Sequence, residues 1–430
     1  MKKKTIAMAV FSVVSLSILF FSCADKTKIR QVVFAVGGTP NEIAFWETLA
    51  GEFSAQEGIG VSIIRQPTDT DQRRQGLVVS LKAQKASPDV FLMDAAWIGQ
   101  FAVSEWLEPL DAYIENSQMN TEIFFQSVLE QSGMYGGNLI AFPVYIDGGV
   151  LYYRKDLLDK YKITSVPGTW ENLRDIALRI QQSERKNNPG FYGFVWQGAQ
   201  YEGLICNYLE FAGSEGGIRL DEEPSVNNAA NRTALKLMAD MIGKDKISPP
   251  NTYTEMKEEE VRIFFQQGNA LFARNWPYAW PLHQSADSPV AGKIGIAPLP
   301  RAAEGKAVST MGGWHIAVSR FSKAKQDSWK FIRFVTSYET QKKLACTLGW
   351  NPGRKDIYSD PEIIKKMPHL QALQNVFENA VARPDKPYYT IVSEILQKQI
   401  NAALSGAVTP ETGLKNAEKE IQTVKSRYEK

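Results

Sequence analysis

After residue 30 the chain switches repeatedly between two hydrophobic periods, and this alternation restricts its fold more than any other feature. Residues 31–36 (Gln-Val-Val-Phe-Ala-Val) form a short apolar run stopped by Gly37 and Gly38, the pattern of a buried strand. Residues 41–56 place Ile43, Trp46, Leu49, Ala50 and Phe53 on one helical stripe. A strand at 61–64, a helix at 70–85 and a strand at 89–93 closed by Asp94 repeat the pattern. The same reading gives helices at 170–182 and 254–267 and strands at 269–274, 293–300 and 314–319. One long helix is predicted at 325–346, and the tail reads as helices at 361–379, 389–404 and 410–430. Strands alternating with helices predict α/β architecture, with parallel sheet covered on both faces.

The N-terminus carries a different signal. Lys2, Lys3 and Lys4 precede an apolar run at 5–21, then Ser22 and Cys23. A positive segment, an apolar segment and a small residue at the cut predict a secretory signal over residues 1–22. It is similar to a bacterial lipoprotein signal, in which Cys23 would be lipidated, residues 23–30 would be a tether, and the rest would be held outside the cytoplasmic membrane. Phe20 stands where such signals usually carry Leu, so an ordinary signal peptide or a membrane anchor stays open. No later run is apolar over 18 residues, so no second span is expected.

Composition narrows the partners. Without the three N-terminal lysines the formal charge falls from +2 to −1, which leaves no electrostatic footprint for nucleic acid. About 400 mature residues are enough for two lobes. Three histidines and no CxxC argue against a metal site of the zinc kind. Cys206 and Cys346 are left as either a disulfide or two separate thiols. No GxxxxGK[ST] is present, so the chain itself is not expected to hydrolyse ATP, and no cofactor is implied.

Ligands of open α/β sheets gather beyond the carboxyl ends of strands. That rule selects Gly37, Gly38 and Glu42 after the first strand, Thr68 and Arg73 after the second, and Asp94 at the end of the third. Glu42 also reads as a first-turn acid favoured by the helix dipole, and Asp94 as an N-cap; both roles can coexist with binding. Tyr145 and Asp147 are two apart in an extended segment and project to one side. Tryptophans in polar loops, among them Trp196, Trp276 and Trp314, suit the C–H faces of sugars. With ten Trp and sixteen Tyr the chain is rich in such platforms.

Five motifs carry a family resemblance: residues 91–97 (Phe-Leu-Met-Asp-Ala-Ala-Trp), 143–147 (Pro-Val-Tyr-Ile-Asp), 275–280 (Asn-Trp-Pro-Tyr-Ala-Trp), 312–315 (Gly-Gly-Trp-His) and 348–354 (Leu-Gly-Trp-Asn-Pro-Gly-Arg). From about residue 31 to 420 the chain resembles the extracytoplasmic solute-binding proteins of ABC sugar importers, especially the trehalose/maltose-binding branch. The resemblance implies a type II, maltose-binding-protein-like fold with two hinged, discontinuous lobes. The first lobe would comprise 31–142 and 300–346, the second 148–292 and 352–430, with crossovers at 142–148, 292–300 and 346–352. It further implies sugar contacts at Glu42, Thr68, Arg73, Asp94, Tyr145, Asp147, Trp276, Tyr278, Gly313, Trp314, Trp350 and Arg354. The implied partners are a trehalose- or maltose-type sugar and a pair of membrane permease subunits, with the binding protein a monomer. Carboxylates facing arginines are expected to stay ionised in the empty cleft, with depressed pKa values. Three alternatives remain: the same clamp holding another ligand (a longer oligosaccharide, sucrose, glucosylglycerol), a secreted glycoside hydrolase with Asp94 and Asp147 as acid and base, and a cell-surface adhesin or sensor that keeps the clamp without a transporter. The strand–helix alternation does not repeat eight times, as a TIM-barrel hydrolase would require.

Overall fold

The structure is a computed structural model, and it describes residues 30–217 and 226–428 except 371, 372, 374, 375, 378, 379 and 385. The signal and lipidation expectations at 1–22 and Cys23 lie outside the described residues. Nine strands build the two main sheets: β1 Gln31–Gly37, β2 Gly60–Gln66, β3 Val90–Asp94, β4 Phe142–Gly148, β5 Val150–Arg154, β6 Tyr192–Val195, β7 Ala270–Asn275, β8 Ile294–Ala297 and β9 Met311–Val318. The first sheet runs β2-β1-β3-β9-β4, and the second β8-β5-β7-β6. Each sheet has its own apolar core. Phe34, Trp46, Phe331 and Ile332 pack on the first; Leu151, Trp170, Phe194 and Leu204 pack on the second. Each such side chain contributes roughly 1.5–3 kcal/mol by leaving water. The result is two α/β lobes, as the alternation implies.

Neither sheet is wholly parallel, which departs from the sequence expectation. β1 pairs in parallel with β2 and β3, but β9 runs antiparallel to β3 and β4. In the second sheet β5 is antiparallel to β7 and β8, while β6 and β7 are parallel. The cause is the discontinuity: β9 returns from the other lobe and enters between β3 and β4.

Chain passages between the sheets can be located. β4 ends at Gly148 and β5 begins at Val150, so Gly149 alone separates the sheets. The second passage lies at 298–310, later than the 292–300 expected, because β8 pairs with β5 within the second sheet. Near the third, Trp350 packs in the first core, and Asn351 gives its carbonyl to Ile146 N (2.9 Å).

Local chemistry explains the element ends. The helix Pro40–Glu57 starts with proline in its first turn and a capping box between Thr39 and Glu42, and stops at Gly58 with φ +66°. The helix Thr70–Lys82 is capped by Asp69, which accepts from Gln72 N (3.0 Å). The single helix predicted at 325–346 is instead two, Lys325–Val335 and Tyr338–Leu348. The break is a capping event: the Ser337 hydroxyl accepts from Thr340 N (3.3 Å) and starts a new helix. Cys206 and Cys346 are free thiols.

Candidate functional site

One cavity of about 420 Å³ lies between the two sheets. Its first wall is set by strand register. Trp314 on β9 sits opposite Asp94 on β3 and Tyr145 on β4, so acid, indole and phenol stand side by side across three strands. Gly312 pairs with Asp147, and Gly313 with Ile146. Gly313 has φ +120°, and a Cβ there would collide with the Tyr145 carbonyl, so only glycine lets β9 approach this closely.

Helix starts complete that wall. Glu42 Oε2 accepts from Thr39 N (2.6 Å) while lining the cavity, so capping and site roles coincide in one carboxyl. Arg73, on the second helix, donates Nε to Pro67 O (2.6 Å), and its guanidinium lies 4.4 Å from the Trp314 ring centroid. Thr68 lines the cavity beside it. Asp94 Oδ1 accepts from Ala96 N (2.9 Å), the capping role read from sequence. Trp350 stacks on Tyr145 with centroids 4.1 Å apart, and both line the cavity.

The opposite wall comes from the second sheet. Trp276 and Tyr278 follow β7 and line the cavity. Tyr278 Oη donates to Glu259 Oε1 (2.7 Å), and Trp276 Nε1 to Glu258 Oε1 (3.4 Å). Eleven of the twelve ligand positions expected from sequence, all but Arg354, therefore line this one cavity.

Arg354 does not. It forms a bidentate pair with Asp356 (3.0 and 2.6 Å), donates to Thr336 O (3.2 Å), and packs against the Tyr338 ring. Its near neighbour in sequence satisfies the guanidinium away from the cavity. The second arginine that lines the cavity, beside Arg73, is Arg383. Its Nη2 donates to Asp94 Oδ1 (2.5 Å) and its Nη1 to Glu202 Oε1 (3.0 Å), with the side chain 3% exposed. Sequence reading also missed Tyr201, Glu202, Lys257, Glu258 and Glu259, which line the same cavity. Glu258 and Glu259 open the helix Glu258–Gln266, so an acidic helix start was the available signal.

Ion pairs cross between the walls. Lys257 pairs with Asp69, Arg383 with Asp94, and Arg74 Nη2 with Glu394 Oε1 (2.6 Å). The expected depression of the carboxyl pKa values does not hold at Asp147 or Glu42. Burial pushes Asp147 up to about 8, against a hydrogen bond from Asn351 Nδ2 (3.0 Å). Burial likewise raises Glu42, against the Thr39 bond and the Arg73 charge, and raises Glu258. Desolvation outweighs the nearby cations because Arg73 donates to Pro67 O and Arg274 is paired with Glu210.

A sequence profile of the bacterial extracellular solute-binding proteins matches residues 37–342, and the chain belongs to that family. It is a solute-binding protein of the ABC-transporter kind, related to sugar binders. It is 34% identical over 414 residues to a probable ABC transporter-binding protein of Deinococcus radiodurans, covering 95% of this chain and 96% of the relative. A maltotriose-binding protein of Pyrococcus abyssi is 25% identical, covering 81% of this chain and 72% of that one. Among solved structures, maltose-bound T. maritima MalE3 superposes with a TM-score of 0.86 at 38% identity, covering 92% of this chain and 99% of that one. The fold is thus the two-lobed, maltose-binding-protein-like one implied by the motifs. Among the described residues no helix is long and apolar enough to cross a membrane.

Proposed function

We propose that this protein binds a di- or oligosaccharide of the trehalose/maltose type outside the cytoplasmic membrane and delivers it, uncleaved, to an ABC importer. The observation that carries this reading is the convergence of carboxyls and arginines with indole and phenol rings, from both sheets, on one cavity. Sugar C–H faces stack on Trp276 and Trp314, while hydroxyls bond to Glu42, Asp94, Asp147, Glu258, Arg73 and Arg383. A buried hydrogen bond to a charged partner contributes roughly 1.5–3 kcal/mol. Thr68, Tyr145, Tyr278, Gly313 and Trp350 shape the remaining surface. The similarity to a maltose-bound relative favours this ligand class over the wider set of glycosides.

In this proposal the lobe built on the first sheet moves against the lobe built on the second, open without sugar and closed with it. Sugar can drive closure because it touches both walls. Cys23 carries the lipid anchor, the protein acts as a monomer, and the closed form docks on permease subunits whose ATPases supply energy. The test is a thermal-shift panel of maltose, trehalose, maltotriose, sucrose and glucosylglycerol on the mature chain. A ligand at 100 times its Kd stabilises by about 2.7 kcal/mol. A shift with maltose or trehalose, and chromatographic recovery of intact sugar, is the expected result. A shift with sucrose or glucosylglycerol alone would move the assignment to that glycoside, and no shift with any sugar would end it.

A further inference from the structure

Behind Trp276 lies a buried ion pair that does not line the cavity. Arg274 on β7 is fully buried, and it donates Nη2 and Nε to Glu210 at 2.5 and 2.8 Å. Its guanidinium carbon lies 3.9 Å from the Trp276 ring centroid, so a cation covers one face of the indole. The ring is held elsewhere too. Glu258 accepts from its Nε1 (3.4 Å), and Tyr152 Oη donates to the Trp276 carbonyl (2.9 Å). A Cβ on Gly312 would lie 3.0 Å from the ring's far edge, which sets that edge against β9.

The same pair reaches both nearby chain passages between the sheets. Glu210 Oε1 accepts from Thr310 N (3.2 Å), the residue that leads into β9. A Cβ on Gly149 would collide with the Glu210 carboxylate and Arg274 guanidinium, so the β4–β5 passage runs directly over the pair. Ser309 Oγ donates to Gly149 O (2.8 Å) and joins the two passages beside it.

We infer that Arg274 and Glu210 are positioning residues: together they fix the indole of Trp276 as a saccharide platform and anchor it to the two passages about which the lobes turn. The ligand named here rests on the saccharide reading above; the geometry does not. A buried ion pair can be replaced by apolar residues of like volume with the fold retained, so Arg274→Met/Glu210→Leu is the informative variant. Arg274→Lys, which keeps charge but loses the planar fork, is its companion.

Two measurements decide the matter. In the ligand-free protein, the Trp276 fluorescence is taken as the difference between each background and its Trp276→Phe counterpart. It is expected to shift to the red and to be quenched more by acrylamide in the double variant, with Arg274→Lys intermediate. With maltose as probe, the double variant is expected to bind at least tenfold more weakly than the parent, and less than threefold more weakly when both carry Trp276→Phe. Unchanged Trp276 emission, or equal losses of affinity with and without Trp276, would overturn the inference and leave a merely structural pair. If the fluorescence result stands while the parent binds no maltose, the positioning claim survives and the saccharide reading fails.

Discussion

Replacing Arg383 by methionine is the sharpest test of how the two walls are joined. Its guanidinium bridges Asp94 of the first sheet and Glu202, which opens the helix Glu202–Ser214 of the second lobe, and neither partner is exposed by more than about a tenth. Without it the carboxylates fare differently. Glu202 keeps the Tyr389 hydroxyl (2.7 Å) and the Ser393 hydroxyl as donors. Asp94 keeps the single bond from Ala96 N. The loss therefore falls on Asp94, and on the conformation in which the walls are together, since opening would let water solvate the acid. Removing one partner of a buried pair costs about 3–5 kcal/mol. Taking the lower end, because Glu202 is still partly satisfied, gives about 3 kcal/mol, or roughly 150-fold in affinity. Calorimetry with maltose should show that loss in Arg383→Met, with a smaller loss in Arg383→Lys. In an Asp94→Asn background the same substitution should cost far less, since the uncompensated charge is gone. A loss below fivefold in Arg383→Met, or equal losses in both backgrounds, would refute the reasoning.

Two further outcomes follow from the electrostatics of the cleft. The Asp147 carboxyl, about 3.8 when unfolded and about 8 when folded, holds a proton in the native state that the unfolded chain releases. Its contribution to stability therefore falls as pH rises from about 4 to 8. A sugar hydroxyl that donates to the ionised form pulls the other way. Maltose affinity should rise between pH 6 and 8, and calorimetry in phosphate and Tris should report proton release; Asp147→Asn should abolish both effects, and a flat pH profile in the parent would contradict them. The Lys257–Asp69 pair is partly open to solvent, with side chains 38% and 16% exposed, so it is worth about 0.2–1 kcal/mol. Lys257→Ala should weaken binding no more than about fivefold and flatten its dependence on salt; an unaltered salt slope would remove Lys257 from the closure.

The readable parts of the site are those fixed by local order. Glu42, Arg73 and Asp94 follow strand ends, and Tyr145 and Asp147 share one side of β4, so position along the chain was enough to bring them to one place. Arg383 was not legible in this way. It sits in an irregular segment, with no strand end or helix start to mark it, and it reaches Asp94 across 289 residues. Arg354 is expected only through the family resemblance, whose last motif it closes, yet Asp356 two residues on takes up its guanidinium. The charge states were equally hidden. Counting arginines against carboxylates predicts ionised acids, but burial, which a sequence does not display, reverses the sign at Asp147. The split of the predicted helix at 325–346 has another origin: Ser337 caps a new helix, which the apolar stripe alone does not show.

These features fit a single thermodynamic cycle. In the proposed closure the walls come together over Glu42, Asp147 and Glu258, whose pKa values burial raises because the protein alone solvates those charges poorly. Arg383 is committed to Asp94 and Glu202, so it cannot also neutralise them. On that proposal the empty closed form carries acids that must either take up protons or return to water. A polyhydroxylated ligand resolves this without contributing charge: its hydroxyls donate to the carboxylates, and its C–H faces cover the indoles that would otherwise remain wet. The differential stabilisation of the closed form that a ligand must supply then comes largely from acids that are unfavourable there until sugar arrives. On this argument, substituting Asp147 or Glu42 by its amide relieves the empty closed form as it weakens the liganded one. Scattering should find the unliganded Asp147→Asn protein more compact than the parent. An unliganded variant as open as the parent would show that these buried carboxyls do not hold the lobes apart.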